Sequence, residues 1–180
     1  MTAPIRWPAE AVWEAVAPLL PGFTVEVLPS IDSTNTELMR RARAGQTEPT
    51  LLVAEQQTAG RGRLGRVWQS DVGASLMLSL GLPMAPRDWS GLSLAVGVSV
   101  AESLQPTLPP LEPGQPPRIG LKWPNDLWLS GDRKLGGILV ETASFVAPQA
   151  AQPATTHGTA ARYVFFFQAE DGIRDSSVTG

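Results

Sequence analysis

Glycines at positions 60, 62 and 65 alternate with arginines at 61, 63 and 66 between Thr58 and Trp68, and this run limits what the flanking segments can become. Without a Cβ, glycine lets backbone amides wrap an anion, while each guanidinium adds charge and a planar set of donors. Gly60-x-Gly62-x-x-Gly65 has the spacing of a dinucleotide fingerprint, which demands a strand before the first glycine and a helix opening at the third. The strand is available at 51–55, but Arg66-Val67-Trp68-Gln69-Ser70-Asp71-Val72-Gly73 has no helical pattern. A Walker loop is excluded because no Lys-Ser or Lys-Thr pair follows the last glycine. What remains is an anion-binding loop of another kind, suited to a nucleotide phosphate or an activated carboxylate, or else a solvated basic loop.

The charge balance narrows the choice. The 180 residues carry a net charge of -3, so the arginines are a local basic feature on a mildly acidic chain, which disfavours bulk nucleic-acid binding. A hydrophobic fraction of 43% suits one domain with a core. There is no cysteine, which removes disulfides, thiolate metal sites and cysteine nucleophiles. The single histidine, His157, sits in a segment of loop composition, and no Gly-x-Ser-x-Gly elbow occurs, so serine-hydrolase chemistry is set aside. No apolar signal region opens the chain and charges or prolines interrupt every long apolar stretch, so a cytoplasmic protein with no membrane partner is expected.

Periodicity predicts a helix over 8–20, a strand over 23–28, and a second helix from Asp32-Ser33-Thr34-Asn35 to about Ala44, with Thr34-x-x-Glu37 as its capping box. Strands follow at 51–55 and 74–82, then a helix over 89–104 with Leu92, Ala95, Val96, Ser99, Val100 and Leu104 on one face. After a proline-rich connector over 105–117, three strands are expected at 118–122, 127–130 and 135–142, the last two joined by a tight turn at Gly131-Asp132-Arg133. Successive strands outnumber helices, so the fold class is α+β, a mixed sheet flanked by helices.

Two further motifs join the Gly/Arg loop. One is Asp32-Ser33-Thr34-Asn35-Thr36-Glu37; the other is Lys122-Trp123-Pro124-Asn125-Asp126 followed by Arg133-Lys134-Leu135-Gly136-Gly137-Ile138-Leu139-Val140-Glu141. Their order, wording and spacing over 25–141 resemble the catalytic domain of biotin protein ligases, also called biotin-[acetyl-CoA-carboxylase] ligases. The resemblance implies the class II aminoacyl-tRNA synthetase-like fold and the activation of biotin by ATP to biotinyl-5'-AMP. The biotinyl group would then pass to a lysine of a biotin carboxyl carrier protein belonging to a biotin-dependent carboxylase.

By that resemblance Ser33, Thr34, Asn35 and Gln57 would meet the biotin head group, which needs polar partners in an otherwise apolar pocket. Gly60 and Gly62 would let the backbone approach; Arg61 and Arg63 would clamp biotin and ATP, and Arg66 would meet pyrophosphate. Lys134 would bridge the biotin carboxylate and the α-phosphate, Arg63 and Lys134 being the catalytic candidates, and Gly137 would leave room for the ring or its tail. Lys122 and Asn125 would contact ATP, and Asp126 would contact ATP or hold Mg²⁺, which commonly keeps several waters. Read without the resemblance, Thr34 and Glu37 are a helix start, Lys134 is a hairpin-turn lysine, and Lys122 to Asp126 is a corner fixed by proline. Trp68 and Trp123 are expected as core or loop anchors rather than adenine platforms.

The match has gaps. The stretch before Phe23 is shorter than a three-helix DNA reader needs, so no operator DNA is expected as a partner. After Glu141 the family continues with a glycine-turn strand; Arg162-Tyr163-Val164 resembles its start, but Phe165 to Gly180 resembles a translated sequencing adapter. The expected organisation is therefore an incomplete catalytic domain over 1–164, with a low-complexity loop at 143–161, and a non-native tail over 165–180. Two other functions stay open: a lipoate-type acyl-adenylate ligase, and a nucleic-acid-binding module built on Arg61, Arg63 and Arg66.

Overall fold

The computed structural model describes residues 5–68, 75–108, 112–130, 133–145, 161–164 and 168–169. His157 and Gly131-Asp132 lie outside the described residues. The chain order begins α1 (Ala9–Val16), β1 (Thr24–Leu28), α2 (Thr34–Arg43), β2 (Thr50–Ala54), β3 (Gly60–Arg61), β4 (Val67–Trp68), β5 (Leu76–Met84) and α3 (Leu92–Leu104). It continues with β6 (Ile119–Lys122), β7 (Asp126–Leu129), β8 (Arg133–Gly137), β9 (Thr142–Phe145), β10 (Ala161–Val164) and β11 (Gln168–Ala169).

β5 organises the molecule because its side chains alternate by the period of two that a pleated strand imposes. Met77, Ser79 and Gly81 are buried, while Leu78, Leu80, Leu82 and Met84 point to the other face and are half-buried. The main sheet runs β1-β2-β5-β11-β8-β7-β6, with β10 also pairing β5 and β9 flanking β10. Among the strands named above only the β1–β2 pairing is parallel, and an isolated bridge between Ile31 and Gln57 is parallel too, so the expected mixed sheet is present. One core cluster joins Leu38 and Ala42 of α2 to Leu52 and Ala143. A second joins Ile119, Leu127 and Ile138 to Leu92, Val96 and Val100 of α3. Gly97 allows α3 to approach β6 closely, since a Cβ there would lie 2.6 Å from Leu121 Cδ2.

Several expectations change. The N-cap of α2 is Ser33, in extended backbone, whose hydroxyl accepts from the Thr36 N–H at 3.3 Å. The Thr34-x-x-Glu37 box is therefore not formed, and Glu37 instead takes Arg41 Nε at 2.9 Å and Arg40 at 3.1 Å. The strand expected over 135–142 divides in two. At Ile138 the chain leaves the ladder because its N–H donates to Asn125 O at 2.8 Å and its carbonyl accepts Asn125 Nδ2 at 2.9 Å, which ties it to the preceding corner.

Trp123 is 79% exposed and anchors no core. Gln168–Ala169, from the segment expected to be non-native, pairs with both β5 and β8. Two strand edges that both present unpaired N–H and C=O groups accept any extended segment, whatever its side chains. The rest of that segment lies outside the described residues.

Candidate active site

The Gly/Arg run folds back on itself as a hairpin. Gly60 pairs with Trp68 and Arg61 with Val67, and the Gly62 N–H donates to Arg66 O at 2.8 Å across the tip. Gly60 is required by close approach, because a Cβ there would sit 3.0 Å from Trp68 O and 3.2 Å from Gln57 Nε2. Gly62 has φ -97°, which any residue adopts. The left-handed positions are Leu64, at φ 58°, and Gly65, at φ 71°. A leucine there carries a backbone cost of about 1–2 kcal/mol, and its side chain is 91% exposed.

Under the hairpin lies a cavity of about 330 Å³. The hairpin contributes Arg61, Arg63, Arg66 and Trp68; the corner before β7 contributes Asn125, with Asp126 opening β7; β8 contributes Lys134 and Gly137; the first turn of α2 contributes Asn35. Arg63 Nη1 donates to Asn125 Oδ1 at 3.1 Å, which joins hairpin to corner. Arg61 Nη2 donates to Thr36 Oγ1 at 2.6 Å, which joins hairpin to α2. Lys134 Nζ lies 3.0 Å from Asp126 Oδ1 and 5.3 Å from the centre of the Trp68 ring. A methyl on Gly137 would be 3.5 Å from both Asp126 Oδ1 and Lys134 Nζ and 3.6 Å from Trp68 Cη2, so the glycine keeps open the space these three enclose. Four cationic side chains and one carboxylate line the cavity. The excess positive charge suits an anion.

Behind Asn35 runs a buried polar chain. Gln57 Oε1 accepts from Thr34 N at 2.7 Å, and the single Thr34 Oγ1 proton is shared between Gln57 Oε1 at 3.1 Å and Ser79 Oγ at 2.8 Å. Ser79 Oγ donates to Asn35 Oδ1, and Asn35 Nδ2 donates to Glu141 Oε2 at 3.1 Å. Gln57 Nε2 and Trp68 Nε1 are buried donors without a protein partner. A donor stranded in this way costs on the order of 1–3 kcal/mol, which a ligand acceptor would recover.

Nine of the residues expected from the sequence thus line the cavity: Asn35, Arg61, Gly62, Arg63, Arg66, Asn125, Asp126, Lys134 and Gly137. Thr34 and Gln57 lie behind Asn35, Ser33 caps α2, and Gly60 closes the hairpin base. Lys122 is not brought to the lining; its ammonium lies 3.9 Å from the centre of the Trp128 ring. Ser79 and Glu141 escaped the sequence reading. The signal for Ser79 is a lone hydroxyl on the buried face of Leu76-Met77-Leu78-Ser79-Leu80. Among the described residues no group of three His, Cys, Asp or Glu side chains could hold a metal ion.

A profile of the biotin/lipoate A/B protein ligase family matches residues 27–151. The chain is 42% identical over 125 residues to the biotin--[acetyl-CoA-carboxylase] ligase of Mycobacterium tuberculosis (strain ATCC 25618 / H37Rv), covering 66% of this chain and 44% of that protein. It is 45% identical over 124 residues to the bifunctional ligase/repressor BirA of Escherichia coli (strain K12), covering 68% of this chain and 36% of that protein. Among solved structures, the biotin acetyl coenzyme A carboxylase synthetase of Helicobacter pylori with bound biotinylated ATP superposes with a TM-score of 0.57 at 27% identity, over 87% of this chain and 63% of the other. The chain therefore spans less than half the length of these two curated relatives.

Proposed function

The chain belongs to the biotin/lipoate A/B protein ligase family, and from that premise we propose that its cavity activates biotin with ATP to biotinyl-5'-AMP and transfers the biotinyl group to a lysine of a carboxyl carrier protein. The observation that carries the reading is the convergence of Arg61, Arg63, Arg66 and Lys134 on one cavity beside the polar chain that ends at Asn35.

In the first step a biotin carboxylate oxygen bonds to the α-phosphorus of ATP as the bond to pyrophosphate breaks. Both reactants are anions, so the barrier includes their mutual repulsion. Fixed cations lower it most where negative charge is most concentrated. Lys134, held by Asp126, supplies a compact charge between carboxylate and α-phosphate. Arg61 and Arg63 clamp the intermediate, and Arg66 meets the departing pyrophosphate. Gly137 leaves room for the substrate, and the stranded Gln57 Nε2 is a ready donor for the ureido oxygen, with Ser33, Thr34 and Asn35 shaping that end. Asn125 meets the nucleotide, and Lys122 acts from outside the lining through long-range charge.

Mg²⁺ enters in this reading as part of the ATP substrate complex. Asp126 is a single carboxylate already paired to Lys134, and among the described residues no group of three His, Cys, Asp or Glu side chains could hold an ion, so no step here depends on one held by the protein. Among the described residues no helix is long and apolar enough to cross a membrane.

The test is ATP–pyrophosphate exchange with biotin, lipoate and octanoate compared in parallel. Exchange stimulated by biotin alone is the expected result. Exchange with lipoate or octanoate in its place would reassign the substrate, and tight salt-sensitive binding of single-stranded nucleic acid with no exchange would reassign the class.

A further inference from the structure

Glu141 has no part in the chemistry described above, yet it ends the polar chain behind the cavity. It lies half-buried in the segment over 138–141 that joins β8 to β9, and it does not reach the cavity lining. Its Oε2 accepts from Asn35 Nδ2 at 3.1 Å, and the Leu139 carbonyl faces the same nitrogen at 3.5 Å. A side-chain amide is nearly symmetric in shape, so its neighbours decide which end is oxygen and which is nitrogen. An ionised carboxylate and a carbonyl only accept, which requires the NH2 group on their side. Asn35 Oδ1 then faces Ser79 and takes its one proton, so Ser79 Oγ accepts from Thr34 Oγ1 at 2.8 Å. The Ser79 and Thr34 protons are thus both drawn toward Glu141. At the far end the Thr34 N–H holds Gln57 Oε1 at 2.7 Å, which leaves Gln57 Nε2 as the unpartnered donor. Turned round, the Asn35 amide would set its oxygen against the carboxylate and reverse both hydroxyls.

We propose that Glu141 is a positioning residue for the uncharged end of the substrate: it fixes the orientation of the Asn35 amide that lines the cavity and, through Ser79, the direction of the Thr34 hydroxyl. The inference rests on the acyl-adenylate reading of the cavity and deepens it at one end. Cations gather on the hairpin and β8, whereas a carboxylate stands behind Asn35. An elongated molecule with one anionic and one uncharged polar end therefore enters with the anion toward the arginines and Lys134, and its other end meets an amide of set polarity. A flipping amide would present two faces, and only the fraction in the matching orientation would bind. Glu141 lies outside the lining, so its effect belongs to substrate binding rather than to the bond-making step.

The test uses Glu141→Met, close in length and without the carboxylate, beside Asn35→Asp and the double variant Asn35→Asp/Glu141→Gln. Biotin-dependent ATP–pyrophosphate exchange gives the KM for biotin, the KM for ATP and kcat of each. For Glu141→Met the expected result is a KM for biotin raised about tenfold, with the KM for ATP and kcat within about twofold of the unaltered chain. Asn35→Asp sets two carboxylates face to face and should raise the KM for biotin by at least as much. The double variant restores a donor at position 141 opposite an acceptor at position 35, leaves the Ser79 proton where it was, and should recover most of that loss. A contact that served folding alone would give neither the split nor the recovery. If Glu141→Met does not fold, the swapped pair carries the test alone. An unchanged KM for biotin in Glu141→Met, an equal rise in the KM for ATP, or a double variant no better than Asn35→Asp overturns the proposal. Absence of biotin-dependent exchange in the unaltered chain would instead remove the functional reading on which it rests.

Discussion

Replacing Ser79 with alanine removes one buried hydroxyl from the middle of the polar chain behind the cavity, and its cost follows from counting partners. Thr34 loses a bond of 2.8 Å but keeps Gln57 Oε1 as an acceptor at 3.1 Å, so its own proton stays satisfied. Asn35 Oδ1 is worse placed. Ser79 is the donor the structure gives it, and Asn35 is only 9% exposed, so little water can take over. A stranded acceptor costs about 1–3 kcal/mol, and the lost oxygen leaves too small a space to add much. The expected destabilisation is about 2 kcal/mol, which for a chain of this length lowers the melting midpoint by about 4–8 °C. Urea unfolding followed by tryptophan fluorescence measures it, with Ser103→Ala as the control. Ser103 donates to the Ser99 carbonyl on an exposed helix face, and its loss should stay within about 0.5 kcal/mol. Ser79→Ala matching Ser103→Ala would refute the account of the chain as a satisfied network holding Asn35 in one orientation.

Three other outcomes are expected. Gly137→Ala should fold normally, because its methyl meets neighbours at 3.5–3.6 Å, yet reduce biotin-dependent exchange at least about tenfold by filling the space beside Lys134; parallel melting and exchange measurements check both halves. Lys134→Ala should depress kcat for exchange with little change in biotin affinity, whereas Arg63→Ala, by cutting the hairpin from Asn125, should weaken biotin and adenylate binding together; calorimetric titration beside exchange kinetics separates them. Gly65→Ala, at φ 71°, should cost about 1 kcal/mol and speed proteolysis of the hairpin, while Gly62→Ala, at φ -97° with no atom nearer than 3.8 Å, should leave cleavage unchanged.

The last pair shows where sequence reasoning reached its limit. Glycine spacing marks a loop that approaches something closely, but it does not say which glycine is under which constraint. Gly60 is fixed by contact with Trp68 and Gln57, Gly65 by its backbone, and Gly62 by neither, while the strained position fell on Leu64, which no propensity rule assigns to a left-handed site. The helices and most strands were legible because apolar periodicity is local. Segment 135–142 was not, because the chain leaves the sheet at Ile138 through bonds to Asn125, thirteen residues earlier, that no pattern within the strand reveals. The cap of α2 moved by one residue for a similar reason. Ser33 and Thr34 are equal candidates by propensity, and the choice was made by Ser79 and Gln57, which take the Thr34 hydroxyl into the core.

The same long-range logic explains why Lys134 reads in sequence as a lysine beside a solvated turn yet sits at the centre of the candidate site. Asp126 and Lys134 lie on adjacent strands, and the register shift between Leu127 and Trp128 sets the lysine opposite Trp128, two residues along from the carboxylate, where an unshifted ladder would set it opposite Leu129. Lys134 thereby reaches Asp126 at 3.0 Å, about a quarter of each side chain remaining accessible. In that position the ammonium is partly desolvated and already oriented, so an arriving carboxylate and phosphate meet a charge that has little water left to shed. A lysine free in solvent would have to be ordered and dehydrated within the reaction itself. The structural role of the ion pair, modest for stability at this exposure, is therefore to hold a cation ready beside Gly137 and Trp68 before the substrates arrive.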